Sequence, residues 1–168
     1  MRKNEEAILA VKYLNNVRLS IMGFNHDEAY LNRLRQLIRG LGLKDRVELL
    51  VNAERNVVLD ELLRAKALVH PAPHEPFGIA VVEAMAARCI PIVRRGFNGP
   101  WMEITQEGKY GLGFSSVEEL ASAIGDAVEN YESYNIKAIT LKALEFDEVK
   151  FRNRFVKIFE SFINTSTL

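Results

Sequence analysis

Residues 67 to 104 leave few folds open, because an apolar strand-like run, a proline-broken loop and an apolar helix follow one another without a spacer. Ala67-Leu68-Val69 reads as a short strand. The next stretch, His70-Pro71-Ala72-Pro73-His74-Glu75-Pro76, cannot coil into a helix, since each proline fixes φ and removes an N–H donor. A helix then opens near Phe77 or Gly78. Its residues Ile79-Ala80-Val81-Val82-Glu83-Ala84-Met85-Ala86-Ala87 are apolar all round except at Glu83, the pattern of a helix buried on every side.

This order of elements suggests a ligand. The first turn of a helix leaves N–H groups unpaired at its positive end, and Gly78 lets a ligand approach them, which makes a phosphate site. Glu83 lies five residues beyond Gly78, or about 7.5 Å along the axis at about 1.5 Å per residue. One elongated ligand with a diphosphate at the helix start, a polyol beside Glu75 and a second polyol against Glu83 would be a nucleotide diphospho-sugar. The alternative for Glu83 is a pairing with an internal arginine, because a buried carboxylate needs partners.

Three segments carry a family resemblance. Glu75-Pro76-Phe77-Gly78-Ile79-Ala80-Val81-Val82-Glu83 resembles the E-x7-E signature of retaining GT-B glycosyltransferases, and Glu83-Ala84-Met85-Ala86-Ala87 resembles the E-A-M-A-A segment that follows it. Asn98-Gly99-Pro100-Trp101-Met102-Glu103-Ile104 looks like the G-G-x-x-E element in its longer N/G-G-P form, as found in dolichol-pathway α-1,2-mannosyltransferases. Two positions depart from the pattern. Arg88 stands where relatives carry glycine, so a differently built turn is expected there, and Asn98 replaces the first glycine of its pair, a residue that tolerates positive φ.

The resemblance implies metal-independent transfer with retained configuration from a nucleotide-sugar, with GDP-mannose as the expected donor and a glycan or lipid-linked acceptor. Glu75 is the candidate catalytic residue, orienting the donor sugar, and Glu83 would hold the ribose. Phe77, Gly78 and Ile79 would face the departing diphosphate, with Asn98 and Gly99 also at the donor. Glu103 is a third candidate ligand, or else a helix-start cap. Arg2-Lys3-Asn4 resembles the end of the family's basic segment, so Lys3 is a candidate phosphate ligand; the alternative is a solvated terminal lysine. His74 adjoins Glu75 and is expected to line the sugar pocket. His70 and His74 have the spacing of a helical metal pair, but Pro71 and Pro73 exclude the helix, so no metal site is expected.

Strand and helix alternate along the rest of the chain. Residues 3 to 15 form a helix with Asn4 as a possible cap and no strand before it, 17 to 23 a strand ending at Gly23, and 27 to 41 a helix starting at Asp27. A strand at 47 to 51 and a helix at 55 to 65 precede the central stretch. After it come a strand at 90 to 93, whose Pro91 favours an edge or a first ladder position, a strand at 111 to 114, and a helix at 116 to 130 capped by Ser115 or Ser116. This predicts an α/β fold with a Rossmann-like, doubly wound parallel sheet, one half of a GT-B fold, its first strand missing. Ligands of such sheets sit at the carboxyl ends of the strands, where Gly23, the 70 to 77 loop and the 94 to 100 loop fall.

Residues 134 to 163 read as two helices breaking near Phe146-Asp147, and Phe151, Phe155, Phe159 and Phe162 make an aromatic stripe on the second. Residues 1 to 168 are thus expected to be a single donor-binding domain, with 146 to 168 as the crossover helix and tail. The acceptor domain would lie in another domain or subunit, and the stripe would face it or drive self-association. Lysine and arginine total 22 against 22 acids, so no field favours nucleic acid, and no apolar run reaches membrane-span length. The charged start is not a signal peptide, and the lone Cys89 suits a reducing cytoplasm, with membrane contact through the missing domain. The competing class is a non-catalytic module that binds a nucleotide or a partner.

Overall fold

The computed structural model describes residues 4–165, except for the side chains of Phe162, Asn164 and Thr165. In chain order the regular elements are α1 (Asn4–Val11), β1 (Leu19–Gly23), α2 (Glu28–Gly40), β2 (Val47–Val51), α3 (Arg55–Arg64), β3 (Ala67–His70), α4 (Ile79–Ala86), β4 (Ile90–Arg94), β5 (Leu112–Phe114), α5 (Val117–Glu129), α6 (Ile136–Ala143) and α7 (Glu148–Thr165). Side chains placed at the helix starts explain several boundaries. Asp27 Oδ1 accepts the Tyr30 N–H (3.0 Å), Ser116 Oγ the Glu119 N–H (3.2 Å) and Asn135 Oδ1 the Ala138 N–H (3.0 Å). Asn4 is already helical and so is not a cap. α1 ends early because Lys12, Tyr13 and Leu14 N–H groups reach back only three residues, tightening the last turn.

All strand pairs are parallel. The strands nevertheless form two sheets in place of one, β1–β2 and β3–β4–β5, with a cleft of about 1590 Å³ lined by β1 and β3 where the sheets face each other. β4 is central and its first four residues are buried, so of the two places expected for Pro91 the edge is excluded and the start of the ladder remains. The ring is tolerated because the Ile90 N–H turns toward β3, bonding Lys66 O at 2.9 Å. Pro91 therefore faces the β5 side, where pairing begins only at Ile92 with Leu112.

One core surrounds β4, with Ile90, Ile92 and Val93 against Val81, Met85, Phe114, Leu120 and Ile124. A smaller one joins α1 and α2 to β2 through Ile8, Val11, Leu34, Ile38, Leu43 and Val47. The C-terminal break falls where predicted, as a 3-10 turn over Leu144–Phe146. On α7 Phe151, Phe155 and Phe159 are 66%, 58% and 57% exposed, so this stripe is uncovered. Their rings stack in sequence, with centroids 6.2 and 6.3 Å apart. No described helix is long and apolar enough to cross a membrane.

Candidate functional site

The parallel strands end together at Gly23, His70 and Arg94, and the two signature loops meet on that edge. Gly78 caps α4 with φ 93°, a conformation that favours glycine. A Cβ there would lie 2.8 Å from Pro100 Cγ, so close packing against Pro100 is a further reason for glycine at this position. Gly99 is held still more tightly, since a Cβ would sit 2.2 Å from Pro76 O, and its N–H donates to Glu75 O at 3.0 Å. The 75–78 loop and the 98–100 loop are one interlocked unit.

Within it the side chains divide. Glu75 is half-buried; one carboxylate oxygen accepts the Phe77 N–H at 3.4 Å, and the other lies 3.8 Å from His70 Nε2. His70 Nε2 is itself buried without a hydrogen-bond partner, and burial lowers the imidazole pKa, with Glu75 opposing. His70 is therefore neutral near pH 7. Phe77 packs its ring edge-on against Phe146, 5.4 Å between centroids, and its N–H donates to Glu75. Gly78 and Ile79 N–H groups precede the first α4 bonds, Val81 N–H and Val82 N–H to Gly78 O at 2.9 and 3.4 Å, and have no intrahelical acceptor. The anion-facing part of the helix start is thus these two.

α4 is not buried on every side. Ile79 is 67% exposed and Ala80 and Ala86 are exposed, while Val81, Ala84 and Met85 are buried. Glu83 lies on the cleft side, where Arg55 of α3 grips it with two bonds of 2.5 and 3.2 Å. The hydrogen bonds that Arg55 donates to this carboxylate, then the carboxylate's charge, raise the Arg55 pKa. The partner is a surface arginine, not an internal one.

Asn98 is not in a positive-φ conformation. It is 7% exposed, its Nδ2 donates to Arg94 O (3.1 Å) and its Oδ1 accepts the Trp101 N–H (3.0 Å), so it ties the strand end to the following π-helical turn, Pro100–Ile104. Asn98 thus clasps the loop in this structure. Glu103 is exposed on that turn and caps nothing among the described residues. His74 is exposed in the loop, and Gly23 is open, with nothing within 4 Å of the place a Cβ would take. Lys3 lies outside the described residues. Among these, no cluster of groups that could hold a metal occurs.

Family comparison decides what this edge belongs to. The family model described as glycosyl transferases group 1 matches residues 3–138. The chain belongs to this family.

A GDP-Man:Man(3)GlcNAc(2)-PP-Dol alpha-1,2-mannosyltransferase of Dictyostelium discoideum is 31% identical over 158 residues, covering 90% of this chain and 31% of that protein. The chain therefore spans about a third of that relative's length. Among solved structures, sucrose-phosphate synthase from Thermosynechococcus elongatus superposes with a TM-score of 0.82 at 19% identity over 96% of this chain and 42% of that one. Anabaena HepE, solved with UDP-glucose, gives 0.78 at 23% identity over 93% and 44%. These likenesses show the fold, a Rossmann-like half of the GT-B type.

In this glycosyl transferases group 1 domain, sequence reasoning missed three residues. Arg55 carries no local signal, since its partner is 28 positions away. His70 looks in sequence only like a strand end. Arg94, which looks like loop, closes β4 and joins Glu6 of α1, with its Nε donating to Pro71 O (3.2 Å) and its guanidinium 4.9 Å from the Phe114 ring centroid.

Proposed function

We propose that this domain is the donor-binding half of a retaining glycosyltransferase, which transfers a hexose, mannose from GDP-mannose, to a glycan or lipid-linked acceptor. The observation that carries the reading is the interlock of Gly99 and Pro100 with Pro76 and Gly78, which presents the Gly78 and Ile79 N–H groups beside Glu75 at the carboxyl ends of the strands. Two preorganised donors there would stabilise charge building on a departing diphosphate without a metal. Glu75 would accept from sugar hydroxyls and Glu83 from ribose, as neutral donors suit carboxylate acceptors, and Lys3 would add a phosphate contact. The GDP-Man and dolichol diphosphate named for the Dictyostelium relative support donor and acceptor class alike.

The acceptor domain, in the same polypeptide or a partner, would cover the Phe151, Phe155 and Phe159 stripe, or copies of the chain would cover it for one another. The whole enzyme would act in the cytoplasm, peripheral to a membrane through that domain. Calorimetry with GDP-mannose, UDP-glucose and ADP-glucose tests the donor site: weak binding, strongest for GDP-mannose, is expected. No heat from any of them at millimolar ligand overturns the reading. A second reading, a non-catalytic binding module, draws on the Arg55 grip of Glu83. Binding without sugar transfer in the full-length protein selects it.

A further inference from the structure

Two side chains at the donor loops are incompletely held, and they face each other. His70 closes β3 in register with Val93 of the buried strand β4, so a regular ladder fixes its backbone. The segment that follows is held as well, since Arg94 Nε donates to Pro71 O at 3.2 Å. Among the described residues, Nε2 of the His70 ring is the one buried side-chain nitrogen or oxygen without a hydrogen-bond partner. Burial takes water from such an atom and leaving it unmatched costs stability, so a buried orphan calls for a reason.

The group it faces is the Glu75 carboxylate, whose Oε2 is 3.8 Å away. The main chain of Glu75 is locked, because its carbonyl accepts the Gly99 N–H at 3.0 Å. Its side chain is not: the hydrogen bond it accepts from Phe77 N–H is 3.4 Å long, near the limit of such a bond. An ionised carboxylate has about four acceptor sites, so Oε2 has room for a donor. Electrostatics then selects the tautomer of the ring. A proton on Nε2 points an N–H at the carboxylate, whereas the other tautomer points a lone pair at it. A movement of about 1 Å brings the pair into the ordinary N–H···O range of about 2.7–3.2 Å, and bonds of this kind are often long until a substrate is seated. Side-chain torsions of Glu75 supply that movement with both backbones left in place.

We propose that His70 is a positioning residue for Glu75: its neutral imidazole donates Nε2–H to Oε2 and so turns the carboxylate to present Oε1 to the hydroxyls of the donor sugar. A neutral donor orients the carboxylate without cancelling the negative charge that accepts from those hydroxyls. Glu75 is the charge that acts on the ring. Arg94, one residue beyond Val93 on β4, is already paired with Glu6 of α1. The proposal rests on the reading of Glu75 as a sugar ligand, but the bond between His70 and Glu75 is measured without nucleotide.

The chain has three histidines, so nitrogen NMR of the imidazole rings, assigned with His70→Gln, reads the tautomer and titration of His70 by itself. The Nε2–H tautomer is expected at neutral pH. In Glu75→Gln the titration is expected at lower pH than in the parent, because the carboxylate's charge raises the His70 pKa against the lowering by burial. A proton on Nδ1, or a titration that Glu75→Gln does not move, overturns the proposal. The second arm compares GDP-mannose with GDP by calorimetry, since GDP lacks the sugar. In His70→Phe the affinity for GDP-mannose relative to GDP is expected to fall about tenfold or more. His70→Gln, which carries an N–H close to the place of Nε2 and does not titrate, is expected to restore the ratio. An unchanged ratio in His70→Phe, or equal losses for both ligands with a lower melting temperature, makes His70 a structural residue only and overturns the proposal. A parent chain that binds neither ligand sinks the nucleotide-sugar reading, while the ring spectra still decide the bond between His70 and Glu75.

Discussion

The two sheets differ in how closely their backbones are packed, and the difference tells where a functional geometry can be fixed. Around β3–β4–β5 glycines are sites of contact: an added Cβ would come within 2.2 Å of Pro76 O at Gly99, 2.3 Å of the Trp101 ring at Gly113 and 2.5 Å of Pro91 O at Gly111. Around β1–β2 the glycines Gly23, Gly40 and Gly42 have nothing within 4 Å. The candidate donor loops are built on the first region, where neighbours determine each backbone position. The second contributes an open strand end and one wall of the cleft. Rigid placement of Glu75 and the α4 start follows from packing in the first region alone.

The sharpest way to break this contrast is to place the same methyl group on both sides. Gly99→Ala is expected to lose about 3 kcal/mol or more of stability, because its nearest obstacle is backbone that cannot rotate away, and to abolish GDP-mannose binding. Gly23→Ala is expected to stay within about 0.5 kcal/mol. Urea unfolding of both variants measures the difference. Similar losses in the two would mean that the regions are not packed differently.

Glu83 lies at the seam between them, on α4 but held from α3. Glu83→Gln keeps the shape and removes the charge, and if the carboxylate holds ribose, affinity for GDP-mannose falls by about 1.5–3 kcal/mol with the melting temperature unchanged. Calorimetry and thermal unfolding on one sample separate the cases. Unchanged affinity with a lower melting temperature would assign Glu83 to its pairing with Arg55 alone.

Much of the fold was legible because period and capping are local. Leu31, Leu34 and Ile38 are buried at the spacing that predicts α2, and Asp27 and Ser116 cap as their positions suggest. The site was legible only in its main chain. The helix start at Gly78 and the placing of both loops on one sheet edge followed from element order, but side-chain roles depend on neighbours distant in sequence. Nothing near Asn98 announces that both its amide atoms are spent within the loop. Ile79 and Ala80 look like core in an apolar helix and are exposed, because composition does not say which faces have neighbours. Pro91 left an edge and a ladder start open, and only the structure shows the second, because β5 pairing starts one residue later.

Cys89 reports on the closed region without touching the site. It is fully buried, its thiol donates to Leu62 O at 3.2 Å, and desolvation raises its pKa from 9.0 to about 11. Below pH 9 folded and unfolded chains both keep the proton, so this contribution to stability is fully present. Above it the unfolded thiol ionises first, and stability falls as pH rises toward about 11. A Cys89→Ala variant should lose less stability than the parent over that interval in urea titrations, and the parent thiol should resist iodoacetamide near neutral pH until unfolded. Rapid labelling of the folded chain would show the α3–α4 packing to be looser than its burial implies.

The smallest effect concerns a strained residue inside the tightly packed region. The turn after α4 keeps the form that glycine would give it: Cys89 N–H reaches Ala84 O at 2.8 Å and Arg88 N–H reaches Met85 O at 3.1 Å, the paired bonds of a Schellman motif, with Arg88 at φ 73°. The expectation of a differently built turn is thus overturned. A non-glycine residue in the left-handed region costs roughly 1–2 kcal/mol, while glycine there adds roughly 0.5–1 kcal/mol of unfolded-state entropy. Arg88→Gly should therefore stabilise the chain by about 0.5–1 kcal/mol, and the Arg88 carbonyl that accepts from Tyr131 Oη at 2.8 Å is kept. α2 supplies the control, since its own Schellman turn already carries glycine at φ 68°, Gly42, and Gly42→Arg should destabilise by a similar amount. Urea midpoints that move in opposite directions for the two substitutions assign the effect to φ. A loss of stability in Arg88→Gly would mean that the arginine side chain makes a contribution larger than the strain.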